Sequence, residues 1–182
     1  SGGNLGTARY TLAGGGTQTA GLAFGGDVLP GPSGLTEEYN GTIWTESGDL
    51  NTARRSLFGC GTQTAGLAAG GNPNPSTTAN SEEYDGSSWT EGNNLGTARR
   101  NMAAAGSQTA AVAVGGQKRP GEVANVEEYN GPSWSEVTDI PSADASSSGL
   151  GTQVNAVIAG GAPNSTTSLA YDGTNWTATN SI

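Results

Sequence analysis

The chain has 182 residues, 31 of them glycine, and carries 16 acidic against 7 basic side chains for a net charge of −9. One lysine, Lys118, and six arginines cannot lay down the basic stripe a phosphate backbone requires, which argues against a nucleic-acid partner. Apolar residues recur in short regular runs such as Ala20–Phe24 and Ala110–Val114, so the chain is ordered. No run approaches the ~18 residues of a membrane span, and no signal peptide opens the chain, so no membrane insertion is expected.

In chain order, a first strand is expected near Tyr10–Ala13 and a second near Thr19–Phe24, ending at the pair Gly25-Gly26. A third ends at Tyr39, and a fourth holds Trp44. Between these two stands Asn40-Gly41, a dipeptide that accepts positive φ and joins antiparallel strands tightly. The pattern then repeats. Gly70-Gly71, Gly115-Gly116 and Gly160-Gly161 follow at steps of 45 residues, as do Gln18, Gln63, Gln108 and Gln153. Trp89 and Trp134 keep that step, and Trp176 comes 42 residues later. Tyr84, Tyr129 and Tyr171 behave in the same way, so the fourth unit is three residues shorter between Gly161 and Tyr171. No useful length carries helical periodicity. The expectation is an all-β chain of four four-stranded units, at about 1–45, 46–90, 91–135 and 136–182, forming one domain over 1–182.

A Gly-Gly pair closing the second strand, then a Tyr, then a Trp five residues on, resembles the kelch motif over essentially the whole chain. The resemblance implies a β-propeller. The phase of the repeats gives four whole blades with no exchanged strand, and little residues such as Gly14-Gly15-Gly16 and Ala103-Ala104-Ala105 let inner strands crowd an axis, so a closed four-bladed ring is expected. The alternatives are a fragment of a larger propeller or a half that pairs with a second copy. Galactose oxidase is similar in fold and holds copper through His and Tyr. This chain has no histidine, and that chemistry does not carry over.

Arg9, Arg54 and Arg99 precede the first strand in three repeats, and Glu37-Glu38, Glu82-Glu83 and Glu127-Glu128 precede the Tyr in the same three. In the fourth repeat Asp144 and Leu169-Ala170 stand in their places. This joint loss predicts structural ion pairs, with Glu38, Glu83 and Glu128 as the acidic partners. Adjacent carboxylates on a strand point to opposite faces, which does not fit glycoside hydrolysis. Cys60 is the sole cysteine, without an imidazole to activate it, and no cluster of metal-ligating residues is evident. No enzyme activity, cofactor or metal is expected.

The segments after the Gly-Gly pairs, 27–35, 72–81, 117–126 and 162–168, differ in every repeat, and variable loops on a rigid scaffold are where binding concentrates. Asp27, Asn74, Lys118, Arg119 and Asn164 are the candidate ligand-binding residues. Lys118 and Arg119 would favour an acidic group. The lysine-poor, Gly/Thr/Ser/Asn-rich style is similar to kelch-like segments of environmental bacterial and phage surface proteins. That similarity implies a recognition module on a virion or cell surface, its partner a glycan or protein. A structural assembly module that self-associates is the alternative.

Overall fold

The structure is a computed structural model that describes residues 2–162 and 165–180; Ser1, Pro163, Asn164, Ser181 and Ile182 lie outside the described residues. All regular structure among the described residues is β, and it falls into four four-stranded antiparallel sheets, one per sequence repeat, and two short two-stranded ribbons. The first sheet contains β1 (Ala13–Thr17) and β2 (Ala20–Phe24). A small ribbon of β3 (Asp27–Val28) and β4 (Gly31–Pro32) follows, and then the sheet is completed by β5 (Thr36–Tyr39) and β6 (Trp44–Ser47). The second sheet consists of β7 (Phe58–Thr62), β8 (Ala65–Ala69), β9 (Ser81–Tyr84) and β10 (Trp89–Glu91). The third has β11 (Ala103–Ser107) and β12 (Ala110–Val114), a ribbon of β13 (Gln117–Lys118) and β14 (Gly121–Glu122), then β15 (Val126–Tyr129) and β16 (Trp134–Glu136). The fourth has β17 (Ser148–Thr152), β18 (Asn155–Ala159), β19 (Ser168–Tyr171) and β20 (Trp176–Ala178). Within each sheet the strands pair in chain order.

Two expectations are corrected. The first strand begins at Ala13, where the sequence reading ended it, because Tyr10 is instead bridged to Asp27. The segments after the Gly-Gly pairs are also not all unpaired, since two of them fold back as the ribbons β3–β4 and β13–β14.

The Asn/Asp-Gly turns have a common local cause. Asn40 Oδ1 accepts from the backbone N–H groups of Thr42 and Ile43, both at 3.0 Å, and Asp85 Oδ1 accepts from Ser87 and Ser88, both at 2.8 Å. Asp172 does the same with Thr174 and Asn175. The side chain thus supplies the acceptor the turn backbone lacks.

Three apolar clusters occupy the seams between successive sheets. The first joins Leu22 and Phe24 to Ala68, Tyr84 and Trp89. The second joins Phe58 and Leu67 to Ala111, Ala113 and Tyr129, and the third joins Val112 and Val114 to Ala156, Ile158 and Tyr171. Each seam also carries the same pair of glutamine bonds, and the first two seams add a tryptophan–hydroxyl bond. Gln63 Nε2 donates to the carbonyls of Tyr39 (2.8 Å) and Gly21 (3.4 Å), Gln108 to Tyr84 (2.7 Å) and Gly66 (3.2 Å), and Gln153 to Tyr129 (2.8 Å) and Ala111 (3.3 Å). Trp89 Nε1 donates to Thr36 Oγ1 and Trp134 Nε1 to Ser81 Oγ, both at 2.9 Å.

The Gly-Gly pairs belong to the seams too. Gly26, Gly71 and Gly116 donate their N–H groups to the carbonyls of Arg54, Arg99 and Asp144 in the next repeat, at 2.9, 2.9 and 2.7 Å. Gly70 has φ +59, and a Cβ there would stand 2.5 Å from Arg99 O. Only glycine combines that conformation with that approach.

Closure of the expected ring is not seen among the described residues. Among the described residues no hydrogen bond and no apolar cluster joins the fourth sheet to the first. The inner edges of all four repeats, from Ala13, Phe58, Ala104 and Ser148, nevertheless line one central depression of about 370 Å³.

Candidate functional site

The segment leading into each first strand carries consecutive residues with opposite assignments. In the second and third repeats these are Arg54-Arg55 and Arg99-Arg100. The first arginine of each doublet turns inward. Arg54 Nη1 lies 2.6 Å from Glu82 Oε1 and Arg99 Nη2 lies 3.0 Å from Glu127 Oε1, with both guanidinium groups fully buried. Arg9 Nη1 stands 3.0 Å from Glu37 Oε1 in the first repeat, without hydrogen-bond alignment. Burial pulls all three guanidinium pKa values down, against the opposing pull of the paired carboxylates.

The pairing corrects the sequence assignment. The partners are Glu37, Glu82 and Glu127, the first of each acidic doublet. Glu38, Glu83 and Glu128 point to the other face of the strand and accept the hydroxyls of Tyr84 (2.6 Å), Tyr129 (2.5 Å) and Tyr171 (3.0 Å) across the seams. Burial first, and these bonds second, push the Tyr84 and Tyr171 hydroxyls up to about 12, and Tyr129 is pushed up likewise. In the fourth repeat Leu169 replaces the paired glutamate and lies buried in the third apolar cluster, while Asp144 caps Ala145 N and Ser147 Oγ.

The second arginine of each doublet faces the segment after the Gly-Gly pair of the preceding repeat. Arg55 exchanges backbone hydrogen bonds with Asn72 (3.2 and 2.8 Å), and its side chain pairs with Asp27 of the first repeat. Arg100 exchanges backbone bonds with Gln117 (3.0 and 2.8 Å). The residue of the second repeat equivalent to Asp27 is Asn72, a neutral amide, and among the described residues Arg100 forms no ion pair.

A cleft of about 420 Å³ opens at this point, lined by Asn72, Pro75, Thr77, Arg100 and the stretch 117–121. A shallower depression of about 620 Å³ continues from it and shares Pro75, Thr77, Lys118 and Arg119. Lys118 and Arg119 are exposed at the tip of the β13–β14 ribbon and also form no ion pair among the described residues. Three cations therefore meet one concavity whose lining contains no carboxylate.

Of the candidate ligand-binding residues, Lys118 and Arg119 line this cleft. Asn74 is exposed between two lining residues, Asn72 and Pro75, with its N–H donated to Asn72 Oδ1 at 2.7 Å. Asp27 is elsewhere: it is 2% exposed and neutralised by Arg55. Asn164 lies outside the described residues. Arg100 was missed, although a signal was present, because the Arg-Arg doublet recurs 45 residues on while its acidic partner Asp27 becomes Asn72.

Among the described residues no group of three or more His, Cys, Asp or Glu side chains could hold a metal ion. Cys60 is buried, with its thiol pushed up to about 12 by burial. No protein-family model matches the chain, and no curated protein matches it.

Proposed function

We propose that the chain is a kelch-like propeller module that recognises an acidic group on a surface glycan or protein through the cleft between its second and third repeats. The supporting observation is the set of three cations, Arg100, Lys118 and Arg119, that converge on one concavity with no carboxylate to neutralise them. In a chain of net charge −9 such a local excess is an exception, and the short-range repulsion among neighbouring unpaired cations is relieved when an anion meets them. Arg100 supplies a planar donor fork suited to carboxylate or sulfate, and Lys118 supplies a mobile point charge. Asn72, Gln117 and Thr77 line the same cleft, and the Asn72 Nδ2 and Gln117 Nε2 groups are the polar donors that a glycan hydroxyl would meet there, since Asn72 Oδ1, Gln117 Oε1 and the Thr77 hydroxyl bond to Asn74 N, Asn101 Nδ2 and Ala98 O. The lining offers no base placed to activate a nucleophile, so the reading is binding without catalysis. A virion or cell surface is the setting in which such a module acts.

The test is titration calorimetry of the chain with a sulfated and a sialylated oligosaccharide and with an acidic peptide, each alongside its neutral counterpart. Binding of at least one acidic probe, lost in Lys118→Glu/Arg119→Glu with the melting temperature unchanged, supports the reading. Equal binding of acidic and neutral probes, or binding that survives the double charge reversal, overturns it.

A further inference from the structure

Each internal seam is built from two kinds of face, and one of each kind is left over. The fourth sheet presents the face that its predecessors turn toward the next repeat. Leu150 is 73% exposed and Val157 is 39% exposed, whereas their equivalents Cys60 and Leu67 are 7% and 0%, and Ala105 and Val112 are 5% and 0%. Gly25, Gly70 and Gly115 each abut a carbonyl of the following repeat, at 2.8, 2.5 and 2.4 Å from a Cβ placed on them. Gly160 keeps the same positive φ, +78, with nothing within 4 Å among the described residues.

The first sheet presents the opposite face. Gln18 is exposed and makes no hydrogen bond among the described residues, while its three equivalents each bridge two carbonyls of the preceding sheet. Tyr39 is partly exposed, whereas its equivalents Tyr84, Tyr129 and Tyr171 are 0%, 1% and 2%. Backbone bonds run Ser56 N to Thr11 O, Asn101 N to Ser56 O and Ser146 N to Asn101 O, and Thr11 N donates to no described residue.

We infer that the open face of the fourth sheet binds the open face of the first sheet of a second copy of this chain, head to tail, and so builds a fourth seam between molecules. All but one of the half-bonds find a complement in the register of the internal seams. Gln18 Nε2 meets the carbonyls of Ala156 and Tyr171, Gly161 N meets Arg9 O, Thr11 N meets Ser146 O, and Trp44 Nε1 meets Ser168 Oγ, the hydroxyl equivalent to Ser81 Oγ. Val157 and Leu150 cover Gly21 and the tilted Tyr39–Trp44 ring pair, as Leu22 lies over Gly66. One element is absent: Ala170 stands where Glu38, Glu83 and Glu128 receive the neighbouring tyrosine hydroxyl. Among the described residues these two faces stay apart, and each is complementary to the other face of a second copy. A head-to-tail contact of this kind closes into a ring or extends into a filament, according to its rotation.

The experiment is light scattering on the purified chain over a dilution series, with Leu150→Glu and Gln18→Glu as variants. Both positions are exposed, so the melting temperature of the diluted chain should hold. The expected result is a mass of two or more copies that falls to one copy in each variant alone, with heteromeric association restored when the two variants are mixed, since each retains one intact face. A single-copy mass at every concentration overturns the inference, including the case in which one molecule closes on itself. Association that survives both variants, or that fails to return on mixing, overturns it as well.

Discussion

Replacing Arg54 by alanine probes the polar contact buried most completely. Its guanidinium is fully buried, 2.6 Å from a Glu82 carboxylate that is itself 1% exposed. Breaking a buried pair from one side costs about 3–5 kcal/mol, because a charge is left without its counterion. Glu82 is partly rescued by three other donors, Asn51 N (2.7 Å), Asn51 Nδ2 (2.9 Å) and Thr52 N (3.3 Å), which puts the expected loss at the lower end, about 3 kcal/mol. At roughly 2–4 °C per kcal/mol for a chain of this size, the melting temperature should fall by about 6–12 °C. The fourth repeat supplies the design of a control, since a buried Leu169 replaces the glutamate there. The double variant Arg54→Met/Glu82→Leu should lose only about 2 kcal/mol, chiefly from the two orphaned amides of Asn51 and Thr52. Urea titration followed by tryptophan fluorescence reads both. A single variant within about 0.5 kcal/mol of the parent, or a double variant that equals the sum of its singles, would refute the reasoning.

Stability should fall as pH rises from about 10 toward 12. The folded chain holds the Tyr84 and Tyr171 protons up to about 12, against an ordinary value of 10.0, so the contribution is complete below pH 10 and is lost as the unfolded chain alone deprotonates; a urea midpoint that is flat over this window would contradict the seam geometry. Cys60, with its thiol pushed up to about 12 and buried, should resist a thiol reagent at neutral pH and react once urea unfolds the chain; rapid reaction of the native chain would show that the second seam opens.

The sequence made the repeat legible because every element that recurs does backbone or seam work that each unit must perform. Asn40 and Asp85 cap turns, Gly70-Gly71 admits the Arg99 carbonyl, and Gln63 and Gln108 tie sheet to sheet. Position along the chain was less legible. The first strand was expected near Tyr10–Ala13, yet a bridge to Asp27 holds Tyr10 outside the sheet. The partner of each arginine was ambiguous by one residue, since both glutamates recur together and only the strand register tells which face each takes. Ring closure was illegible for a different reason. It depends on the rotation at each seam, which is set by packing between units and is not encoded in the period.

Consecutive residues join the scaffold to the site. Arg99 is locked by Glu127 and by its bonds to the Asn125 (2.6 Å) and Ala113 (3.4 Å) carbonyls, and its own carbonyl receives the Gly71 N–H at 2.9 Å. With that residue fixed, the next has little freedom, and the two backbone bonds between Arg100 and Gln117 place its side chain at the mouth of the cleft. The ordering cost of one wall is thus met by folding and not by binding. The same segment in the second repeat holds Arg55 just as firmly, but Asp27 neutralises it. One difference between repeats, acid at position 27 and amide at position 72, therefore separates a paired cation from one that forms no ion pair among the described residues. On the proposed reading, a repeated scaffold gains a charged cleft in this way, by losing an acidic partner at one seam while the backbone bonds around it are kept.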